Sequence, residues 1–413
     1  MLSELSKSQV TEIISKDAYS VAVNGTPGIT RYDGAQLASN SPCEDRFIHG
    51  WIPSPAHGKN SWKACRDSWR AWAVLDGHAG WQTAELLTTH LVPFVQRFLD
   101  EIRSHPSDST DSPDSVSRAI TKGFLDLDDA ITNTALAASQ SKIPLQEKAK
   151  KLAPAYAGSC ALLSLYDPAS RLLHVACTGD SRAVLGRRNS DGTWETLPLS
   201  VDQTGSNEEE IDRIYEEHPG EANIVNGGRV LGLMVSRAFG DGRWKWSLDL
   251  QEELKRRFNG PSPLPPRYEV QTPPYITAEP VVTSTKIDPS QPSFLILATD
   301  GLWDTLSSQQ AVNLVGKWLK LREMKKTTDG YLEPTYEPFD FGDFHNGVNW
   351  RFEEKRTTVQ DKNAAVHLVR NSLGGNHHEM VAGRLAFGPP FSRRIRDDIT
   401  VQVIFFNMPG IEK

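Results

Sequence analysis

Three short apolar runs in this chain stop at acidic residues, and a fourth begins just after a pair of them. Leu75 precedes Asp76-Gly77-His78, Thr178-Gly179 precedes Asp180, Ala298-Thr299 precedes Asp300-Gly301, and the run Ile399 to Phe406 follows Asp397-Asp398. Runs of this length, closed by turn residues, predict buried strands. The strands expected are Trp69 to Asp76, Ser159 to Asp167, Leu172 to Thr178, Phe294 to Thr299 and Ile399 to Phe406. Strand ends of this kind gather carboxylates at one edge of a sheet while the strands themselves stay dry, and such a rim can bind metal.

Helical patterns lie between the strands. Ala84, Leu87, Leu91, Val95, Phe98 and Ile102 recur at spacings of three and four, as do Val116, Ile120, Phe124, Leu127 and Ile131. Paired strands with clustered helices suggest α+β layering rather than strict βαβ alternation. Three irregular stretches interrupt the pattern. Ser104 to Ser115 reads as a surface loop, Asn259 to Tyr275 carries six prolines and is excluded from a regular helix or central strand, and Lys325 to Thr358 mixes Gly, Pro, aromatics and charges. Apolar patterning resumes after each, so they are expected to be insertions in a single domain spanning residues 1–413.

With 38% hydrophobic residues in 413, the chain can bury a sizeable core. Its net charge of −7, with no dense Lys/Arg stripe, argues against nucleic acid as a partner. Cys43, Cys65, Cys160 and Cys177 form no CxxC pair, so neither a zinc knuckle nor a disulfide framework is indicated. No apolar run approaches the roughly 18 residues of a membrane span. The N-terminus has neither a signal-peptide core nor the Arg-rich, acid-poor look of a transit peptide, which makes a processed or trimmed start the expectation.

Hard divalent cations such as Mg²⁺ and Mn²⁺ take oxygen ligands from a few carboxylates, with waters completing the shell. Glu44, Asp45, Asp76, Asp180, Asp300 and Asp397 supply that chemistry. A glycine after a ligating Asp lets a second group come close, a physical use for Gly77 and Gly301. Two ions held so can position and deprotonate a water for in-line attack on phosphorus. Taken singly, each residue has a plainer reading: an Asp-Gly after an apolar run is usually a turn, adjacent acids are usually solvated, Asp180 before Ser181 could equally cap a turn, and a lone His78 is more often structural than catalytic.

The ordered set resembles the type-2C metal-dependent protein phosphatases. Their motifs occur in sequence as Glu44-Asp45-Arg46, Val74-Leu75-Asp76-Gly77-His78, Gly158-Ser159, Thr178-Gly179-Asp180-Ser181-Arg182, Ser236-Arg237-Ala238-Phe239-Gly240-Asp241, Ala298-Thr299-Asp300-Gly301-Leu302-Trp303-Asp304 and Arg396-Asp397-Asp398-Ile399-Thr400. The resemblance implies a four-layer α-β-β-α sandwich with a central antiparallel β-sandwich and the metals at one end. It implies two Mg²⁺ or Mn²⁺ ions: Asp76 bridges both, the Gly77 carbonyl binds one, Asp300 and Asp397 bind the other, and Glu44 and Asp45 act through waters. Asp180 matches a position that helps bind a third, weaker ion in some members. His78 matches the proposed general acid that protonates the departing serine or threonine oxygen.

One position departs from the family. Many members carry a phosphate-clamping arginine four residues before the Glu of the Glu-Asp pair, and this chain has Asn40 there. A narrower resemblance fits that departure. Arg229 to Met234, Arg237 to Asp241, Lys245-Trp246-Ser247, Thr272 to Pro280, Asn363-Ala364-Ala365 and Asn40-Ser41-Pro42 look like the mitochondrial pyruvate dehydrogenase phosphatases. That likeness implies a phosphoprotein partner, pyruvate dehydrogenase E1 α, in the mitochondrial matrix. Two alternatives stand against a phosphatase: a catalytically dead scaffold of the same fold, which should have lost ligating carboxylates, and an unrelated metal-dependent hydrolase, for which Arg396-Asp397-Asp398 has no special meaning.

Overall fold

A computed structural model of the chain describes residues 5–52, 69–104, 112–324, 351–408 and 410–411. Two antiparallel sheets dominate it. In hydrogen-bonded order the first runs Tyr19–Ala22, Ile29–Leu37, Ile399–Phe406, Ser293–Ala298, Arg182–Arg188 and Trp194–Pro198. The second runs Val281–Lys286, Leu172–Thr178, Ala161–Asp167, Trp69–Leu75 and Arg46–Ile52.

Three apolar layers hold the stack together. Ser293–Ala298 and Ile399–Phe406 are buried at every position, which is why they read as unbroken apolar runs. Alternate side chains serve different layers. Leu295, Leu297, Ile404 and Phe406 meet Trp72, Val74, Leu162 and Val175 between the sheets. Phe294, Ile296, Val403 and Phe405 pack outward against the helices Ser308–Met324 and Ala364–Leu373, joined by Val10 and Ile14 of Lys7–Ser15. On the opposite outer face Ala71, Ala73, Leu163 and Leu165 pack against Gln82–Ser104 and Pro113–Gln140. This is the four-layer α-β-β-α sandwich that the resemblance implied. Each fully buried Leu, Ile or Phe contributes about 1.5–3 kcal/mol.

Several elements differ from the sequence reading. The run Ser159 to Asp167 divides at Cys160: Ala161–Asp167 joins the large sheet, and Gly158–Ser159 pairs instead with Gly77–His78 and Phe239–Gly240 in a small sheet of its own. Of the loop expected from Ser104 to Ser115, residues 105–111 lie outside the described residues. Its end is helical, since Ser112 Oγ accepts from the Ser115 amide and Pro113 opens the helix. In the third stretch, residues 325–350 also lie outside the described residues, as does Cys65; the other three cysteines are free. Asn259 to Tyr275 is irregular as expected but well anchored after Asn259. Leu264 and Tyr275 are buried with Val230, Leu231 and Ile276, and Tyr275 Oη donates to Glu221 Oε2 at 2.6 Å.

Register places the acidic rim. Ala298 pairs with both Val401 and Arg182, and Ile399 pairs with Leu37, so Asp300, Asp397 and Asn40 leave the first sheet at the same end. In the second sheet Leu75 pairs with Arg46 and Ala161 with Thr178, which brings Glu44, Asp45, Asp76 and Asp180 to one end as well.

Candidate metal centre and its surroundings

Asp76, Asp180 and Asp300 each offer a carboxylate oxygen, and the three oxygens lie within 4.8 Å of one another. Asp180 therefore stands directly with Asp76 and Asp300. Asp76 is fixed by its own backbone, because its amide donates to Cys160 O at 3.2 Å and its carbonyl accepts from Cys160 N at 2.9 Å. Burial raises the Asp76 carboxyl well above the ordinary carboxylate range, and the neighbouring Asp300, Asp45 and Asp180 raise it further. Burial, then Asp300, lifts Asp180 to about 7. Two bare anions this close repel, so a proton is favoured between the crowded Asp76 and Asp300 carboxylates. A cation would take that place, so the donor set fits Mg²⁺ or Mn²⁺, which prefer carboxylate oxygen.

Both glycines after the aspartates are required by close approach. A Cβ on Gly77 would sit 2.3 Å from Glu44 O, and one on Gly301 would sit 2.2 Å from Asp398 O. The groups admitted are thus backbone carbonyls of the neighbouring acidic motifs. Asp45 is buried behind this rim, its Oδ2 accepting from Thr299 Oγ1 at 3.0 Å and Thr400 Oγ1 at 2.7 Å, which ties the two sheets together. Burial, then Asp398, holds its carboxyl well above the usual range. Asp397 is not part of the close trio. Its carboxylate is ion-paired with Arg393, and its Oδ1 accepts from Asp398 N at 2.7 Å.

Asn40 is engaged in holding carboxylates. Its Nδ2 donates to Glu44 Oε2 at 3.2 Å and to Asp398 Oδ2 at 3.1 Å. Asp398, which the sequence reading left out of the site, organises this corner: it also accepts from the amides of Ser39 at 2.5 Å, Asn40 at 2.9 Å and Glu44 at 2.8 Å. Burial opposes its ionisation, yet these hydrogen bonds hold its carboxyl below the ordinary value. The signal was present in the doubled Asp397-Asp398, but sequence cannot say which of two adjacent acids turns inward.

Asp241 is the second residue that sequence reasoning passed over. His78 Nε2 donates to Asp241 Oδ2 at 2.5 Å, with His78 26% exposed and Asp241 fully buried. Burial alone would lower the His78 pKa, but the charge and hydrogen bond of Asp241 outweigh it and raise the value. Gly158 makes the pair possible, since a Cβ there would lie 2.2 Å from His78 Nε2. Asp241 itself sits in left-handed backbone, φ 49°, with its amide on Ala157 O at 2.8 Å. Next to it, Lys245 Nζ meets Asp128 Oδ2 at 2.5 Å, and Asp128 Oδ1 accepts from Gly240 N at 2.8 Å.

Arg237 of the same segment anchors the helix Glu208–Glu217. Its guanidinium bonds Glu210 at 2.7 to 3.0 Å, and Ser236 Oγ and Arg213 Nη2 also donate to Glu210. Burial opposes the charge on Glu210, but the hydrogen bonds from Arg237 and Arg213 pull its pKa down to about 2. Glu210→Gln leaves Arg237 buried without a counter-charge, so a loss of about 3–5 kcal/mol is expected at neutral pH by denaturant unfolding. A depressed folded pKa means the stabilisation is present above the unfolded value near 4.5 and is lost as pH falls toward about 2. The gap between wild type and variant should therefore narrow over that interval, and a constant gap would show that charge is not the cause.

Comparison with known proteins agrees with this geometry. Residues 38–330 match the family model described as Protein phosphatase 2C. A protein phosphatase 2C homolog of Schizosaccharomyces pombe is 42% identical over 407 residues, covering 96% of this chain and 85% of that protein. The mitochondrial pyruvate dehydrogenase (acetyl-transferring) phosphatase 1 of Saccharomyces cerevisiae is 36% identical over 416 residues, covering 94% and 70%. In fold, the chain is similar to the crystal structure of a serine-threonine phosphatase 2C from Toxoplasma gondii, with a TM-score of 0.51 at 19% identity over 94% of this chain and 99% of that one. With the layered fold and the acidic rim already in place, these matches establish that the chain belongs to the protein phosphatase 2C family, the metal-dependent protein serine/threonine phosphatases.

Proposed function

We propose that this chain removes phosphate from serines of pyruvate dehydrogenase E1 α in the mitochondrial matrix, using two Mg²⁺ or Mn²⁺ ions. The observation that carries the substrate assignment is the similarity to the S. cerevisiae pyruvate dehydrogenase phosphatase across 94% of the chain. Asp76, Asp180 and Asp300 would hold cations together with the Gly77 carbonyl and Asp397, and Glu44 and Asp45 would act through waters. When bound, such ions activate water as the nucleophile and neutralise charge developing on phosphorus. His78 gives its proton to the departing serine oxygen, and Asp241 holds the imidazole in place for it. Asp398 and Asn40 keep Glu44 at the rim. The dead-scaffold reading finds no support, because Asp76, Asp300 and Asp397 are all present.

Purified protein with Mn²⁺ is expected to dephosphorylate phosphorylated E1 α in preference to a panel of unrelated phosphoproteins, and a deletion strain should accumulate hyperphosphorylated E1 α. Unchanged phosphorylation in that strain would refute the substrate while leaving the phosphatase chemistry standing.

A further inference from the structure

A substrate phosphate approaching this rim meets carboxylates, so besides the cations it needs a positive side chain of fixed position. Asn40 carries no charge, and its amide is already engaged by Glu44 and Asp398. Arg393 carries the charge that Asn40 lacks. Its guanidinium is ion-paired with Asp397 and half exposed. Its backbone is firmly held. Arg393 lies in the short helical turn Ser392–Arg394, where the fully buried Ser392 donates through Oγ to Ser39 O. Ser39 Oγ in turn donates to Arg396 O at 2.9 Å. The turn is thereby laced to the residue before Asn40, with the half-exposed guanidinium beside Asp397 at the acidic rim.

We infer that Arg393 is the phosphate-binding arginine of this site, pairing with Asp397 when the rim is empty and with phosphoryl oxygens of the substrate when it is filled. The inference rests on the phosphatase reading and extends it by one residue.

In the full chain with Mn²⁺, Arg393→Ala should raise both the KM for a phosphoserine peptide and the inhibition constant of inorganic phosphate by about tenfold, the loss expected for a charge-assisted hydrogen bond. The kcat should change by less than about threefold, because binding is lost and not chemistry. Arg393→Lys should fall between, keeping the charge and losing the planar fork. Mn²⁺ affinity by calorimetry should not weaken, since Asp397 loses a competitor. Unchanged KM and phosphate inhibition would overturn the assignment, and so would a weakening of Mn²⁺ that accounts for the whole effect. If the wild type turns over no phosphopeptide, the phosphatase reading is what fails. Calorimetric binding of inorganic phosphate to the Mn²⁺-loaded wild type and variant then decides Arg393, with equal affinities overturning it.

Discussion

Asp76→Asn is expected to cut turnover of a phosphoserine peptide by about a thousandfold or more, which corresponds to roughly 4 kcal/mol of lost transition-state stabilisation. The fold should survive, because Asp76 is held through its backbone to Cys160 and the amide is nearly isosteric. The metal-free variant should melt no lower than wild type, since one of three crowded carboxylates can no longer carry charge. Wild type should gain thermal stability with added Mn²⁺, and the variant should gain much less. Turnover that persists undiminished in strong chelator would sink the metal reading altogether.

The second large effect concerns the leaving group. His78→Ala should slow hydrolysis of a phosphoserine peptide by about 10²–10⁴-fold while affecting p-nitrophenyl phosphate far less, because nitrophenolate departs without needing a proton. Asp241→Asn should show the same pattern in weaker form. Asparagine tolerates the left-handed backbone at this position, so the substitution tests the carboxylate and not the turn. Equal losses on both substrates would make His78 a structural residue. A selective loss in His78→Ala with none in Asp241→Asn would leave the acid in place and remove its support.

Strand ends carry most of what could be read in advance. Leu172–Thr178 and Ile399–Phe406 have the expected bounds because both are buried on nearly every residue, so the apolar run and the strand coincide. Ile29–Leu37 went unread for the opposite reason. Its interior holds the buried Arg31–Asp33 ion pair and Gly34 beneath the Tyr19 ring, and neither looks like core in one dimension. The layer topology came from the family resemblance and not from periodicity. Within the site, the metal-binding candidates were legible because motif order marks them. Asp398, Asp241 and Arg393 were not singled out, since their importance lies in partners more than 150 positions away: Ser39 and Asn40 for Asp398, His78 for Asp241, and Ser39 for the turn that carries Arg393.

The strand Ile399–Phe406 lies inside the first sheet, between Ile29–Leu37 and Ser293–Ala298. A ribosome delivers it last of the three. Until it emerges, Ile29–Leu37 and Ser293–Ala298 face an open gap, Asp45 lacks Thr400, and Glu44 lacks Asp398. A chain that stops short of Ile399–Phe406 therefore leaves the first sheet split and the acidic rim without its supports, and it is expected to lack phosphatase activity.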